Sequence, residues 1–252
     1  MSAAPRAAVI IPARLASTRL PRKVLLNRTG KYLIQHVWER LAPLAGEVAA
    51  VIIAADSPEV AAAARSFGAD ARLTRADHPS GTDRVAEVAR DLPVDVVVNV
   101  QGDEPAIDPD DIRRLVAPFA AEPDLCMATL ARRRSDPEGQ ANPHLVKIVT
   151  DREGRALYFS RAPVPYPREG PCAWLHHTGV YAYRREFLLR LGALAPTPLE
   201  RMERLEQLRV LEHGFAIKVV LTDRAYEGID TPEQYEEFVR REAGGLRLED
   251  GG

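Results

Sequence analysis

The chain has 252 residues, of which 34 are Lys or Arg and 36 are Asp or Glu, so its formal net charge is −2 at pH 7. Its 46% hydrophobic and 28% charged residues match ordinary globular usage, which excludes a disordered, fibrous or membrane-spanning chain. The balanced charge argues against a nucleic-acid binder and the short apolar run near the amino terminus against a signal peptide, so we expect a cytoplasmic protein.

The first half alternates short apolar runs with helical patterns. Strands are predicted at 8–11, 48–54, 94–100 and 125–130, and helices at 31–41, 58–67, 82–89 and 109–119. Ser57 followed by Pro58 is typical of a helix start, and Gly68 of a helix end. This alternation predicts an α/β fold with a mostly parallel, Rossmann-like sheet and helices on both faces.

The second half predicts more antiparallel structure. The runs 147–151 and 155–160 around Gly154 are typical of a hairpin. A proline-rich loop at 163–171 follows, and then come a strand at 178–183, a helix at 199–211, a strand at 217–221 and a last helix from Pro232. No linker-like break separates two parts, so we predict one domain, 1–252, with an antiparallel insertion around 140–200.

The loop after the first strand carries four cations, Arg14, Arg19, Arg22 and Lys23. A charged run is most often plain surface. However, open α/β sheets bind ligands beyond the carboxyl ends of their strands, and arginine with lysine suits a polyanion such as a triphosphate. The loop has no glycine, so it is neither the dinucleotide-binding turn nor the phosphate-binding P-loop.

A second loop, 77–84, opens a helix with small hydroxyl residues. Ser80 or Thr82 would cap that helix. The free backbone N–H groups there, beside Gly81, could instead bind a base or a ribose. By itself this pattern is weak evidence for a ligand site.

The strand that ends at Val100 is followed by Gln101, Gly102 and Asp103. A carboxylate at this place, opposite the basic loop, could hold Mg²⁺ against phosphate oxygens. The alternative is that Asp103 simply pairs with a nearby arginine. Gly102 would allow another group to approach the backbone closely.

Two more acidic segments precede predicted helices. The run 108–111 fits a capped helix start, with a proline at the first position and acids in the first turn. Thr231 and Gln234 form a predicted capping box, which leaves Asp230 to face a ligand. With Asp103 it would make a metal site of two carboxylates.

Taken together, the chain resembles the 3-deoxy-manno-octulosonate (Kdo) cytidylyltransferases from Val9 to about Phe238. The resemblance rests on the segments 11–14, 17–21 with Lys23, His78 with 80–82, 99–105, 156–161, 198–200, 205–209 and 230–233. The first segment is shared with other nucleotidyltransferases. Two later segments, the Ser-Arg pair at 160–161 and Leu-Glu-Gln-Leu-Arg at 205–209, restrict the resemblance to the Kdo enzymes.

The resemblance implies a nucleotide-diphospho-sugar transferase type of sheet and a Mg²⁺-dependent homodimer that makes CMP-Kdo and pyrophosphate from CTP and Kdo for lipopolysaccharide biosynthesis. It further implies a nucleotide and metal set: Arg14 and Lys23 on the triphosphate, Ser80, Gly81 and Thr82 on cytosine and ribose, Asp103 and Asp230 on magnesium, and Gln101 beside nucleotide and sugar. The implied sugar set is Arg161 on the carboxylate, with His177, Tyr181, Glu206 and Gln207 on hydroxyls.

Two positions depart from the family. Arg22 stands where glycine is more common, and Thr178 stands where an apolar residue is common. On the residues alone, a single histidine such as His177 is more often structural than a ligand.

Alternative readings remain. The nearest is a sister enzyme that activates another acidic sugar, such as a sialic acid, or an alditol phosphate. From a different class, the chain could be a non-catalytic protein that senses a nucleotide on the same sheet. A dinucleotide oxidoreductase is disfavoured, because the glycine-rich turn is missing.

Overall fold

The computed structural model describes residues 4–170, 172–226 and 228–244, which form a mixed α/β fold. They fall into two compact units. The terminal unit holds residues 6–110 and everything described from 224 onwards, and the central unit holds residues 4–5 and 111–223. The single domain with an insertion around 140–200 stays a prediction. None of the helices in the described ranges has the length and apolarity that crossing a membrane requires.

The elements are numbered in chain order. The strands are β1 (Ala7–Ala13), β2 (Val51–Ala55), β3 (Asp70–Leu73), β4 (Val96–Asn99), β5 (Met127–Arg134), β6 (Lys147–Thr150), β7 (Ala156–Ser160), β8 (Trp174–Arg184) and β9 (Ile217–Thr222). The helices are α1 (Leu33–Arg40), α2 (Pro58–Ser66), α3 (Gly81–Ala89), α4 (Pro109–Val116), α5 (Pro118–Ala121), α6 (Pro137–Ala141), α7 (Arg185–Leu191), α8 (Pro198–Glu203), α9 (Gln207–Glu212) and α10 (Pro232–Ala243). Short 3-10 turns lie at Lys23–Leu25 and Ala42–Leu44.

The terminal unit is built on a parallel sheet in the order β3-β2-β1-β4. All seven residues of β1 and all four of β4 are buried, which accounts for their continuous apolar sequence. The predicted mostly parallel sheet is therefore confirmed. The carboxyl ends of β1 and β4 lie side by side, so the loops that follow them share one edge.

Side-chain caps fix where the helices of the terminal unit begin. Ser57 accepts a hydrogen bond from the N–H of Val60 at the start of α2. Thr231 and Gln234 form the predicted capping box of α10. These caps confirm the helix starts that the sequence indicates.

The central unit has the antiparallel content that the sequence predicts. β6 and β7 form the predicted hairpin, and Gly154 in its turn has φ +75°. β8 pairs antiparallel with both β5 and β6, whereas β9 runs parallel to β5. β8 is longer than the predicted strand, because its ladder with β5 extends from Trp174 to Tyr183.

Three elements were not predicted: β3, α6 and α7. In addition, the predicted helix 109–119 is interrupted, and α5 begins at Pro118. A proline inside a helix removes one hydrogen bond and clashes with the preceding turn.

The predicted helix 199–211 is also wrong in its continuity, because it consists of α8 and α9. Arg204, which is exposed, has φ +53° and ψ +50°, in the left-handed region. The N–H of Leu205 donates to the carbonyl of Glu200 at 3.3 Å, which is the closing bond of a Schellman end. The regular apolar spacing across this segment therefore predicted one helix where the backbone makes two.

Candidate functional site

A pocket of about 380 Å³ opens at the carboxyl ends of β1 and β4 in the terminal unit. Six residues that the sequence analysis selected line it together: Arg14, Lys23, Gly81, Gln101, Asp103 and Asp230. The basic loop after β1 forms one wall. The Asp103 loop and Asp230, which are distant in the sequence, meet there.

Lys23 lies between the two aspartates. Its ammonium donates a short hydrogen bond to Oδ2 of Asp103 and another to Oδ1 of Asp230 at 2.8 Å. Burial lowers the pKa of Lys23, but the charge of Asp103, followed by that of Asp230, outweighs burial and leaves the pKa raised. Asp103 thus has a cationic partner, a lysine where the sequence analysis considered an arginine. Two carboxylates converge on one positive charge.

The arginines of the basic loop have different surroundings. Arg19 donates to Oδ2 of Asp230 at 2.7 Å, a contact that the sequence analysis did not assign although it counted Arg19 among the four cations. The guanidinium of Arg14 lies near Gly81, and among the described residues it has no hydrogen bond or ion pair. Arg14 is therefore the cation of this loop whose charge is available to a ligand.

Arg22 adopts φ +57° and ψ +27°, and its guanidinium pairs with Glu59 of α2. An L-residue in this left-handed conformation is strained, whereas glycine is not. The backbone at this position would therefore accept glycine without strain. The side chain of Arg22 points to an exposed ion pair and does not line the pocket.

Gly102 is required by a close approach within the protein itself. A Cβ at this position would lie 2.9 Å from Cδ1 of Ile34 and 3.0 Å from the carbonyl oxygen of Pro12. The glycine therefore lets the loop that carries Asp103 pack against the end of β1. The group that approaches the backbone is part of the chain.

The amino terminus of α3 contributes to the pocket through Gly81. Ser80 caps the helix: its hydroxyl oxygen accepts from the N–H of Asp83 at 3.0 Å, and its hydroxyl donates to the Asp83 carboxylate at 2.7 Å. Ser80 and Thr82 are not among the pocket's lining residues. The first-turn N–H groups of Gly81 and Thr82 have no acceptor within the helix and make this end electropositive.

The five predicted sugar residues lie in the central unit. Arg161 follows β7 directly, and its side chain is held at two nitrogens: Nε donates to the carbonyl of Glu203 at 2.8 Å, and Nη1 donates to the carbonyl of Pro143 at 3.1 Å. No described residue accepts from Nη2. The guanidinium is therefore fixed while one nitrogen stays available.

His177 and Tyr181 lie on β8 with their ring centroids 5.3 Å apart. Thr129 donates its hydroxyl hydrogen to the carbonyl of Val180 at 2.9 Å, so its oxygen accepts from Nε2 of His177 at 3.1 Å. Burial lowers the pKa of His177 to about 3, so the ring is neutral and carries its proton on Nε2. Nδ1 is then an acceptor. Burial, with the charge of Glu206, also raises the pKa of Tyr181, which keeps its hydroxyl protonated as a donor.

Glu206 and Gln207 lie at the start of α9. Gln207 is only 5% exposed, and its Nε2 is buried without a hydrogen-bond partner in the protein. Thr178 follows His177 in β8, so its side chain lies on the opposite face of the strand, where its buried hydroxyl also has no partner. The departure at Thr178 therefore affects the interior and not the face of His177.

Carboxylates, arginine and lysine in the terminal pocket suit an anionic ligand with a hard cation. Among the described residues, no three His, Cys, Asp or Glu side chains group closely enough to hold a metal by themselves. Two carboxylates are nonetheless enough for Mg²⁺ when phosphates and water supply the other ligands. The central unit's neutral imidazole, phenol and buried amide suit a polyhydroxylated ligand.

The comparisons with known proteins agree with one another. A family model described as cytidylyltransferase matches residues 8–220. The 3-deoxy-manno-octulosonate cytidylyltransferase of Solibacter usitatus is 51% identical over 92% of each chain. The protein of the same name from Geobacter metallireducens is 48% identical over 92% of this chain and 96% of its own. A solved structure of CMP:2-keto-3-deoxy-manno-octonic acid synthetase complexed with CTP is 43% identical, with a TM-score of 0.90 over 96% of this chain and 100% of that one.

Proposed function

The chain belongs to the 3-deoxy-manno-octulosonate cytidylyltransferase family, and we propose that it transfers CMP from CTP to the anomeric hydroxyl of Kdo with release of pyrophosphate. One observation carries the proposal: Asp103 and Asp230 converge on the ammonium of Lys23 below the basic loop. Such a site can bind a metal-bound triphosphate. The family relationship indicates which nucleobase and which sugar the enzyme uses.

In this proposal the terminal unit binds CTP. Arg14 and Lys23 neutralise the triphosphate: the guanidinium of Arg14 can donate two hydrogen bonds to phosphate oxygens, and the ammonium of Lys23 acts as a point charge. The N–H groups at the start of α3, at Gly81 and Thr82, bind the cytidine, while Ser80 acts mainly by capping the helix. Gln101, whose Nε2 donates to Asn99 at 3.3 Å, stands beside the nucleotide.

We propose magnesium as the cofactor, held by Asp103 and Asp230. The donor set fits it: both side chains offer hard oxygen ligands, and the Lys23 ammonium between them is a stand-in cation that both contact. When bound, the ion would neutralise charge on the phosphate oxygens.

The chemistry is a single displacement at phosphorus. The anomeric oxygen of Kdo forms a bond to the α-phosphorus, the bond from that phosphorus to the bridging oxygen breaks, and pyrophosphate leaves with the electron pair. The hydroxyl proton passes to solvent. Arg14 and Lys23 stabilise the charge that grows on the leaving pyrophosphate, so no strong base is needed among the side chains.

The central unit binds Kdo in this proposal. Nη2 of Arg161 meets the sugar carboxylate, with which arginine pairs well. Nδ1 of His177 accepts from one sugar hydroxyl, and the Tyr181 hydroxyl and Glu206 bind others. Gln207 donates from its buried Nε2, whose lack of a partner in the protein would otherwise be costly.

We further propose that the enzyme is a cytoplasmic homodimer that supplies CMP-Kdo for lipopolysaccharide biosynthesis, as the family resemblance implies. The high identity to proteins named for the Kdo reaction favours Kdo over sialic acid or an alditol phosphate. A nucleotide sensor on the same sheet would bind CTP without turnover.

The test is pyrophosphate release from CTP and Mg²⁺ with Kdo, a sialic acid or an alditol phosphate. We expect release with Kdo alone, and Asp103→Asn to lower kcat by at least 100-fold with an unchanged melting temperature. The matched control is Asp108→Asn, which also removes a carboxylate charge that has a cationic partner, Arg224 at 3.0 Å, but at a residue that does not line the pocket. Asparagine can still accept from the N–H of Asp110 at the start of α4. CTP binding without pyrophosphate from any sugar would indicate the sensor, and near-normal turnover of Asp103→Asn would reject its metal role.

A further inference from the structure

Both carboxylate oxygens of Glu203, at the end of α8, accept hydrogen bonds at the end of β7. Its Oε1 accepts from the hydroxyl of Ser160 at 2.7 Å, and its Oε2 accepts from the backbone N–H of Arg161 at 2.9 Å. The hydroxyl oxygen of Ser160 in turn accepts from the N–H of Ala162 at 3.0 Å. One side chain therefore fixes the backbone on both sides of Arg161.

The main chain of Glu203 fixes the other end of the same arginine. Its carbonyl accepts from Nε of Arg161, and this carbonyl is free of intrahelical bonds because α8 ends at the left-handed Arg204. The carbonyl of Arg161 accepts from Nζ of the fully buried Lys147 at 2.5 Å. Arg161 is thus held at its N–H, its carbonyl and two guanidinium nitrogens.

We propose that Glu203 is a positioning residue that holds Arg161 so that the guanidinium nitrogen left without a protein partner meets the carboxylate of the sugar acid. The inference rests on the proposed function. A free arginine samples many rotamers and loses them on binding, whereas an arginine fixed by the protein has already lost them. Binding of the sugar carboxylate then costs no further side-chain entropy at Arg161.

The position of Glu203 also explains the break between α8 and α9. A continuous helix through Arg204 would engage the carbonyl of Glu203 in its own hydrogen-bond ladder. The break leaves that carbonyl to Arg161 while the side chain stays beside Ser160. Both functions of Glu203 depend on the left-handed residue that follows it.

The experiment compares four variants: Glu203→Ala, Glu203→Gln, Glu212→Ala and Arg161→Ala. Glu212 is the matched control, because its carboxylate also accepts from backbone N–H groups of α8, at Leu199 (3.0 Å) and Glu200 (3.4 Å), but contacts neither Ser160 nor Arg161. The readouts are the melting temperature and the KM values for Kdo and for CTP from pyrophosphate release.

We expect Glu203→Ala to raise the KM for Kdo at least tenfold with the KM for CTP changed less than threefold, and Glu212→Ala to leave both unchanged. Glu203→Gln should stay within about threefold of the wild type, because its amide oxygen can accept from Arg161 and its amide nitrogen can donate to Ser160. If Glu203→Ala does not fold, Glu203→Asp replaces it, with an expected rise of at least threefold because the shorter side chain cannot reach both donors. The double variant Arg161→Ala/Glu203→Ala should match Arg161→Ala alone.

The outcomes distinguish failure of the positioning role of Glu203 from failure of the proposed function. If Glu203→Ala, or its replacement Glu203→Asp, behaves like Glu212→Ala while Arg161→Ala loses affinity for Kdo, the positioning role is overturned and the proposed function stands. An unchanged KM for Kdo in Arg161→Ala overturns both the positioning role and the assignment of Arg161. Absence of turnover with Kdo in the wild type would overturn the proposed function itself.

Discussion

Replacing Gly102 by alanine tests how closely the loop of Asp103 must pack against its neighbours. The new methyl group would lie 2.9 Å from Cδ1 of Ile34 and 3.0 Å from the carbonyl oxygen of Pro12, both closer than normal contacts. Ile34 is fully buried and the oxygen belongs to the buried strand β1, so neither can move freely. Overpacking of this kind costs about 1–3 kcal/mol.

The magnitude can be divided between the two clashes. Ile34→Val removes Cδ1 and alone should cost about 0.5–1.5 kcal/mol. In the double variant Gly102→Ala/Ile34→Val only the clash with Pro12 remains, so the loss should be smaller than the sum of the single losses by about 1 kcal/mol. Because Gly102 adjoins Asp103, we also expect Gly102→Ala to lower kcat.

The assay is urea unfolding, with Gly81→Ala as the stability control. A Cβ on Gly81 would meet Pro12 at 3.5 Å, an ordinary contact, at the first position of α3. We expect this control to lie within about 0.5 kcal/mol of the wild type or above it, since alanine favours a helix. A Gly102→Ala variant as stable as the control, or strict additivity in the double variant, would refute the packing argument.

Three further predictions concern stability. Thr178→Val removes a buried hydroxyl that has no hydrogen-bond partner. We expect the free energy of unfolding to rise by about 1 kcal/mol and the melting temperature by about 2–4 °C, with an unchanged KM for Kdo. A lower melting temperature would mean that the hydroxyl is hydrogen-bonded. Burial lowers the pKa of His177 to about 3 in the folded protein, whereas in the unfolded chain the pKa is about 6.5. Below about pH 6.5 only the unfolded chain binds a proton at this ring, so the folded state loses stability as pH falls. His177→Gln should therefore lose about 2 kcal/mol less than the wild type between pH 7 and pH 5 in urea titrations, and equal losses would contradict the shift. Arg22→Gly relieves a left-handed arginine but loses the exposed pair with Glu59, whereas Arg22→Val loses the same pair and places a β-branched residue in the left-handed conformation. We therefore expect the valine variant to unfold at a lower urea concentration than the glycine variant, and equal midpoints would argue against the strain.

Local chemistry made much of the terminal unit predictable. The apolar runs of β1 and β4 indicated covered parallel strands, and Ser57, Ser80 and Thr231 indicated helix starts, because these signals act within a few residues. Of the three elements that were not predicted, β3 and α7 differ in the signal that their sequences offer. β3 has four residues, of which Ala71 alone is buried, so it offers almost no alternation. By contrast, α7 has buried Phe187, Leu188 and Leu191 at helical spacing, a signal that was present in the sequence.

The candidate site was predictable in its members more than in its contacts. The sequence and its resemblance selected Asp103, Asp230 and Lys23, but nothing local indicates that one ammonium joins both acids, because that depends on how distant loops meet. Glu203 escaped notice because it lies in a segment whose spacing indicates an ordinary amphipathic helix. Its contacts with Arg161 become visible only when the backbone turns at Arg204.

The left-handed turn at Arg204 also bears on which substitutions this position tolerates. Arg204 is exposed and charged, so a survey by residue type would rank its guanidinium among the candidates for substrate contact. The torsion angles imply a different rule: glycine or asparagine should be accepted here, and isoleucine or valine rejected, whatever their charge. At such a position the handedness of the main chain decides which residues fit, and the charge of the side chain does not.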